Sequence, residues 1–340
     1  MERLVLSAFL RYYHICKYVG AKNLLGSKHY PQQVVRAIDY TTGTDEINPI
    51  SGEKDKGIDG VNLIIDSGAF SVWNAGGKLD LMEYIEFLKA FEKEHRSKFN
   101  EVWYVNLDVI PGQQGQSPTP QQITDAVEEG FKNYDIMRNE FDNVIHVFHQ
   151  GDPEYALTRL LDSKPKYIGI SPSNDVMTPQ RIIWLDETFK KVPKEVRTHG
   201  FAVTSFDLMK AFDWFSVDST SWFMIGMYGK LSVPFNSKGK VVLGDDDVYS
   251  KKEVSVSIEK ASRGPDGYKY LRNSNKKGEL AFLEQVDKYI EYLCKRYPFI
   301  SPSDIFGERN HARVFANLLV FMDFERQGKR TCLVEVNSLF

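Results

Sequence analysis

Between about residues 60 and 220 one pattern recurs. A short apolar run ends on a polar residue, and an amphipathic stretch with helix-start chemistry follows. The runs are 61–65, ending at Asp66; 102–107, ending at Asp108; 144–148, leading into His149-Gln150-Gly151; 167–170, leading into Ser171-Pro172-Ser173; 198–203, leading into Thr204-Ser205; and 214–217, ending at Asp218. Asp80 is placed to cap a helix whose Leu81, Tyr84, Ile85 and Leu88 share one face, the i, i+3, i+4, i+7 spacing of an amphipathic helix. Thr119-Pro120 supplies a cap and a first-turn proline before Ile123, Ala126, Val127 and Phe131. Asp152-Pro153 and Thr178-Pro179 start two more helices in the same way. About six strand–helix steps in a row call for parallel strands joined by right-handed crossovers.

An open doubly wound sheet and a closed barrel both satisfy that pattern. The turn after the first clear run, Asp66-Ser67-Gly68-Ala69-Phe70, is not the G-x-G-x-x-G of a dinucleotide site. Polar residues collect instead at the C-terminal end of strand after strand, where a barrel keeps its active site. The expected class is therefore α/β, a (β/α)8 TIM-type barrel with insertions and a C-terminal helical extension, its first and last strands being the hardest to read. Residues 1–227 are expected to form the barrel core. Residues 228–278 carry eleven basic and six acidic residues in a Gly-, Ser- and Lys-rich stretch with few apolar runs. They read as a basic insertion. Residues 279–340 return to helices that complete the barrel, one with the stripe Leu283, Val286, Ile290 and Leu293 and one from about Asn310 to Phe324.

Composition narrows the function classes. The 340 residues hold 43 basic and 46 acidic side chains, a net charge of −3, which argues against a polycationic nucleic-acid binder but allows one local basic face. With 42% hydrophobic and 26% charged residues the chain suits a soluble core-forming protein. No stretch approaches the roughly 20 apolar residues of a membrane span, and charges through the first 15 residues argue against a signal peptide, so a cytoplasmic location is expected. The three cysteines, Cys16, Cys294 and Cys332, are far apart. They read as reduced thiols with no local metal anchor, although Cys294, His311 and Cys332 are the set from which a distant site would be assembled.

Two carboxylates stand out, Asp66 and Asp218, each directly after an apolar run and before a serine. Singly, such an aspartate is usually a turn or cap acceptor. On a barrel both point into one pocket, and a pair of acids suits chemistry at a sugar carbon, one attacking C1′ while the other moves protons. A planar base needs polar groups along its edge and flat groups on its faces. Asp108, Gln150 and the backbone at Gly169 and Ile170 are placed for the edge; Phe70 and His199 are placed for the faces.

These segments resemble a family. Residues 63–71, L-I-I-D-S-G-A-F-S, look like the D-S-G-G-F-Q signature of tRNA-guanine transglycosylases. His149-Gln150-Gly151 resembles their Q-G strand end, and Gly169-Ile170-Ser171 falls where they carry a base-contacting turn. Residues 197–209 are similar to the strand and helix before their nucleophile. The wording of 215–222, F-S-V-D-S-T-S-W, resembles the DNA-modifying branch, the 7-deazaguanine DNA transglycosylases of phages and bacterial islands. The likeness covers about residues 60–235. It implies Asp218 as nucleophile and Asp66 as general acid/base. It implies Asp108, Gln150 and Gly169 on the base edge, with Phe70 and His199 sandwiching the ring. Asp213 is the other acid near this strand, but it begins the apolar run that Asp218 ends. The tRNA enzymes bind zinc through a C-x-C-x-x-C cluster that this chain lacks; no zinc or other cofactor is expected, and the substrate shifts toward DNA. The partners implied are DNA, with tRNA as the alternative, and a 7-deazaguanine base such as preQ0. Lys230, Lys238 and Lys240 are the expected phosphate contacts, with Tyr228, Tyr268 and Tyr270 available to stack on bases. The rival readings are a non-catalytic nucleic-acid-binding barrel and a nucleoside or glycoside hydrolase using the same acids.

Overall fold

The structure is a computed structural model that describes residues 1–6, 12–113, 115–244, 247–257 and 267–328. It divides into two compact units: residues 3–13 with 20–219, and residues 14–19 with 220 onward.

In the first unit, eight parallel strands form a closed barrel. In chain order its elements are β1 (Arg3–Leu6), α1 (Tyr13–Tyr18, of which only Tyr13 belongs here), β2 (Asn23–Ser27), α2 (Pro31–Thr42), the short antiparallel pair β3 (Gly43–Ile47) and β4 (Lys54–Lys56), β5 (Asn62–Asp66), α3 (Ala69–Asn74), α4 (Leu81–His95), β6 (Glu101–Val105), α5 (Pro120–Glu140), β7 (Val144–His149), α6 (Glu154–Asp162), β8 (Tyr167–Ser171), α7 (Thr178–Lys191), β9 (Arg197–Gly200), α8 (Phe206–Ala211) and β10 (Ser216–Ser219). Around the ring the order is β1-β10-β9-β8-β7-β6-β5-β2. The two strands the sequence pattern left unread, β1 and β2, close it by pairing Leu6 with Leu24. The strand ring thus needs no element after Ser219.

Two expected helix starts are capped as read, while α6 and α7 take Pro153 and Met177 as N-caps in place of Asp152 and Thr178. Asp80 accepts from the Glu83 N–H (3.0 Å). Thr119 and Gln122 form a reciprocal capping box at the start of α5, satisfying two N–H groups that the first turn leaves unpaired. Strand residues alternate between the barrel interior and the helix layer. Outward, His146 packs on Phe131 and Tyr134 of α5, and Phe148 stacks on Trp184 of α7. Inward, Leu25, Ile64, Trp103, Val105, Ile145, Val147 and Tyr167 form one cluster with Phe201 and Phe215. At the strand starts Glu101 accepts from Arg3, Arg197 and the Trp103 indole N–H. The two guanidinium groups lie over the Phe215 ring at 4.6 and 4.4 Å. Burial alone would raise the Glu101 carboxyl; its partners override that and hold it down at about 2. A residual cavity of about 20 Å³ beside Trp103, Tyr167 and Ser216 has room for about one water. The barrel interior is a packed core.

The second unit comprises the remainder of α1, α9 (Ser221–Met227), β11 (Lys230–Phe235), β12 (Ser250–Ser255), α10 (Tyr268–Arg272), α11 (Lys277–Arg296), α12 (Pro302–Phe306) and α13 (His311–Gly328). The expectation of few apolar runs in 228–278 is corrected here. β11 and β12 pair antiparallel over six registered positions, from Lys230↔Ser255 to Phe235↔Ser250, and Leu231, Val233, Phe235 and Val254 are buried. Serine, proline and lysine between those apolar positions hid the strand. Asn317 of α13 ties the pair down, accepting from the Ser232 N–H (2.7 Å) and donating to the Lys230 carbonyl. Buried Arg313 donates to the carbonyls of Gly226, Ile305 and Gly307. Among the described residues no helix is long and apolar enough to cross a membrane.

Candidate active site

Asp66, His149 and Asp218 occupy inward positions at the C-terminal ends of β5, β7 and β10, two residues on from the inward Ile64, Val147 and Ser216. Asp108 follows β6. Three carboxylates are thereby gathered at one end of the barrel, close enough for their charges to act on one another. Burial, then the charge of Asp108, and then that of Asp218 push the Asp66 carboxyl up, against the backbone N–H groups of Gly68 and Ser67, to about 7. Crowded, part-desolvated acids cannot all ionise, and the one that keeps its proton near neutrality is suited to donate and to take it back.

The Asp-Ser-Gly turn has a steric and a conformational cause. Gly68 adopts φ +81, and its N–H donates to Asp66 Oδ2 (3.2 Å). A Cβ at that position would lie 2.4 Å from His29 Cβ and 2.7 Å from Ser27 Oγ. Left-handed backbone and close approach both demand glycine. Gly68→Ala is expected to cost more than about 2 kcal/mol and to shift Asp66; an unchanged urea midpoint together with an unchanged pH profile would refute this account of the turn.

Asp108 faces His149, whose Nε2 lies 3.4 Å from Asp108 Oδ2 while its Nδ1 lies 3.5 Å from Asp152 Oδ2. Asp152 Oδ2 also accepts the His149 backbone N–H (2.8 Å). Burial alone would lower the imidazole, but Asp108 and Asp152 win and raise it to about 10. His149 is therefore a cation at neutral pH. Because its folded value lies above the ordinary 6.5, its contribution to stability is complete below pH 6.5 and is lost as pH rises through about 10. The imidazole proton shifts of His149 should stay in the imidazolium range up to about pH 8.5; titration near 6.5 would contradict the bridge. His149 and Asp152 were not among the expected site residues. The available signal was the two-residue spacing 145, 147, 149, which carries the inward face of β7 onto His149.

Asp218 sits on β10 with Oδ1 accepting the Ala202 N–H at 2.6 Å. Ala202 has φ +53, an uncommon conformation for a residue with a side chain, and such outliers cluster at functional sites. His199 Nε2 lies 3.7 Å from the same oxygen. Asp213 precedes β10, exposed, with its backbone carbonyl accepting from Thr198; it lies at the other end of the strand from this cluster.

The remaining expected residues are placed as follows. Phe70, in the first turn of α3, is 63% exposed and stacks on Trp73 (centroids 6.2 Å apart). It presents an aromatic surface beside Asp66. His199 is 0% exposed, its ring edge-on to Phe201 (4.5 Å) and Tyr167 (6.3 Å). Its expected role as an open stacking face is corrected: neighbouring rings cover it, and it backs Asp218. Gln150, half-buried in the turn after β7, accepts the Ser173 N–H at Oε1 (3.0 Å) and donates its backbone N–H to the Ser171 carbonyl. It ties the β7 and β8 loops together. Gly169 pairs with His199 across β8 and β9. A Cβ there would lie 2.6 Å from the Phe201 ring, so glycine makes room for the ring that packs His199.

Lys230, Lys238 and Lys240 belong to the second unit. Lys230 begins β11 half-buried, and Lys238 and Lys240 are exposed on a turn whose Asn236 Oδ1 accepts both their backbone N–H groups (3.0 Å each). Tyr228 is exposed, while Tyr268 donates to Asp287 (2.6 Å). Cys332 lies outside the described residues, and among the described residues no group of three or more His, Cys, Asp or Glu side chains is arranged to hold a metal ion. No protein-family model matches the chain, and no curated protein matches it.

Proposed function

We propose that this protein is a base-exchange transglycosylase that replaces guanine in DNA with a 7-deazaguanine of the preQ0 type. The observation that carries the reading is the convergence of Asp66, Asp108 and Asp218 at the C-terminal end of the barrel, with Asp66 poised to titrate at about 7. The resemblance of residues 63–71 and 215–222 to the transglycosylase signatures supports it.

In the first half-reaction an Asp218 carboxylate oxygen attacks C1′ of the target nucleotide. The C1′–N9 bond breaks, its electron pair goes to guanine, and Asp66 supplies a proton to the departing base. The product is a glycosyl ester on Asp218. In the second half-reaction Asp66, now a carboxylate, takes N9–H from the incoming base; N9 attacks C1′, and the ester bond breaks back to the Asp218 carboxylate. No net redox change occurs, and each step balances in protons. The oxocarbenium-like transition state is stabilised by nearby anions. Asp108, paired with the His149 cation, accepts hydrogen bonds along the base edge, and Phe70 covers one face. The target base must leave the helix stack to reach these groups. Lys230, Lys238 and Lys240 contact phosphates, so binding weakens as salt rises.

Incubation of the protein with labelled preQ0 and either DNA or tRNA tests the proposal. Label in DNA is the expected result. Label in tRNA alone would move the substrate to the tRNA branch, guanine release without label would make the protein a hydrolase, and binding without either would leave a non-catalytic barrel.

A further inference from the structure

We infer that Tyr167, Ser216 and His199 form a buried relay that fixes His199 as its Nε2–H tautomer, turning that N–H toward Asp218 Oδ1. Ser216 Oγ lies within hydrogen-bonding reach of both the Tyr167 hydroxyl and His199 Nδ1, the latter at 2.5 Å. These three residues come from β8, β10 and β9, and all are buried. Serine has one proton to give, so two arrangements of the neutral ring compete. In the first, Tyr167 donates to Ser216, Ser216 donates to Nδ1, and the ring proton sits on Nε2, 3.7 Å from Asp218 Oδ1. Every buried hydrogen then points at an acceptor. In the second, Nδ1–H donates to Ser216, which turns its own proton to Tyr167. The Nε2 lone pair then faces a carboxylate oxygen.

The second arrangement incurs a repulsion that a low-dielectric interior strengthens. Nε2 is a buried ring nitrogen without a hydrogen-bond partner among the described residues. In the favoured tautomer its N–H is aimed at Asp218 from slightly beyond bonding distance. With the Ala202 N–H (2.6 Å) it contributes to orienting the carboxylate. It also offers a donor to the charge that returns to Asp218 when the glycosyl ester breaks. Tyr167 and Ser216 are positioning residues, acting through His199. The kinetic consequence rests on the transglycosylase reading; the tautomer does not.

Long-range ¹H–¹⁵N correlation spectra of the histidine rings test this directly, with His199 assigned by its disappearance in His199→Gln. The expected wild-type pattern is a neutral ring protonated on Nε2. In Ser216→Ala the tautomers should mix, and the turnover number of base exchange should fall roughly 10- to 100-fold, less than the 10²- to 10³-fold scale of a fully lost donor at a reacting oxygen because mixing removes it only in part. The KM for the incoming base should stay within about twofold, and Ser216→Thr should restore both signals. If Ser216→Ala does not fold, Tyr167→Phe should shift the tautomer in the same direction by a smaller amount. An Nδ1–H tautomer or an imidazolium in the wild type, or an unmoved tautomer in these variants, would overturn the relay. The expected tautomer in a protein without exchange activity would support the relay and remove the proposed function.

Discussion

Asp218→Asn should lower the proposed base exchange by on the order of 10⁴-fold or more, while the proposed nucleic-acid binding stays within a few-fold. An amide oxygen is a poor nucleophile, and removing the group that forms a covalent intermediate costs more than removing any one of its supports. The neighbouring geometry predicts a clean variant. Oδ1 of Asp218 accepts the Ala202 N–H. The amide oxygen introduced by Asp218→Asn can keep that bond, so the fold is expected to survive. Acid quenching of wild-type protein mixed with DNA in the absence of incoming base should trap a DNA–protein ester that maps by mass spectrometry to Asp218. Full label transfer by Asp218→Asn, or an adduct on Asp66, would reverse the assignment of the two acids.

The second large effect belongs to Asp66 and has two independent signs. Its folded value of about 7 lies above the ordinary 3.8, so between those limits the native state binds a proton that the unfolded chain does not. Stability therefore falls as pH rises through that window. The full cost is present above about pH 7, and it vanishes below about pH 4. Each tenfold change in proton affinity between the two states is worth about 1.4 kcal/mol. Asp66→Asn is therefore expected to stabilise the barrel at about pH 8 by on the order of 3 kcal/mol, with the gain shrinking to near zero at about pH 4. Urea unfolding at the two pH values measures this, and an equal difference at both would show that Asp66 is not a strained acid. For the proposed base exchange the kinetic sign splits between the half-reactions. Departure of guanine needs the protonated acid, so kcat/KM for the nucleic acid should fall above about pH 7. Capture of the incoming base needs the carboxylate, so kcat/KM for that base should fall below about pH 7. Parallel limbs for the two substrates would remove Asp66 from proton transfer. In Asp66→Asn both activities should be lost even though the protein is more stable at alkaline pH, a trade expected when crowded acids are kept for chemistry.

Much of this site could be read along the chain because barrel chemistry is tied to strand ends. Asp66, Asp108 and Asp218 each terminate an apolar run, and the parallel strand–helix repeat puts all such termini on one side. The partners of the acids were less visible. His149 bridges Asp108 and Asp152 through a pairing of one distant and one local residue. The link between Tyr167, His199 and Ser216 spans three strands. His199 looked like a stacking face because it stands at a strand end among aromatic residues; whether a ring is open or covered depends on Phe201 and Tyr167, which only packing brings to it. Gln150 looked like a base contact for a similar reason, yet its side-chain oxygen accepts the Ser173 N–H.

The amino-acid order alone determined the repeating strand–helix register and the helix caps. It also determined the acidic residues at the strand ends, because each of these depends on side chains within a few positions of one another. Closure of the ring through β1 and β2 was decided by tertiary structure, as were the raised Asp66 carboxyl, the charged His149 and the covering of His199. Each depends on which side chains meet across strands far apart in the chain, and on how much water their meeting excludes.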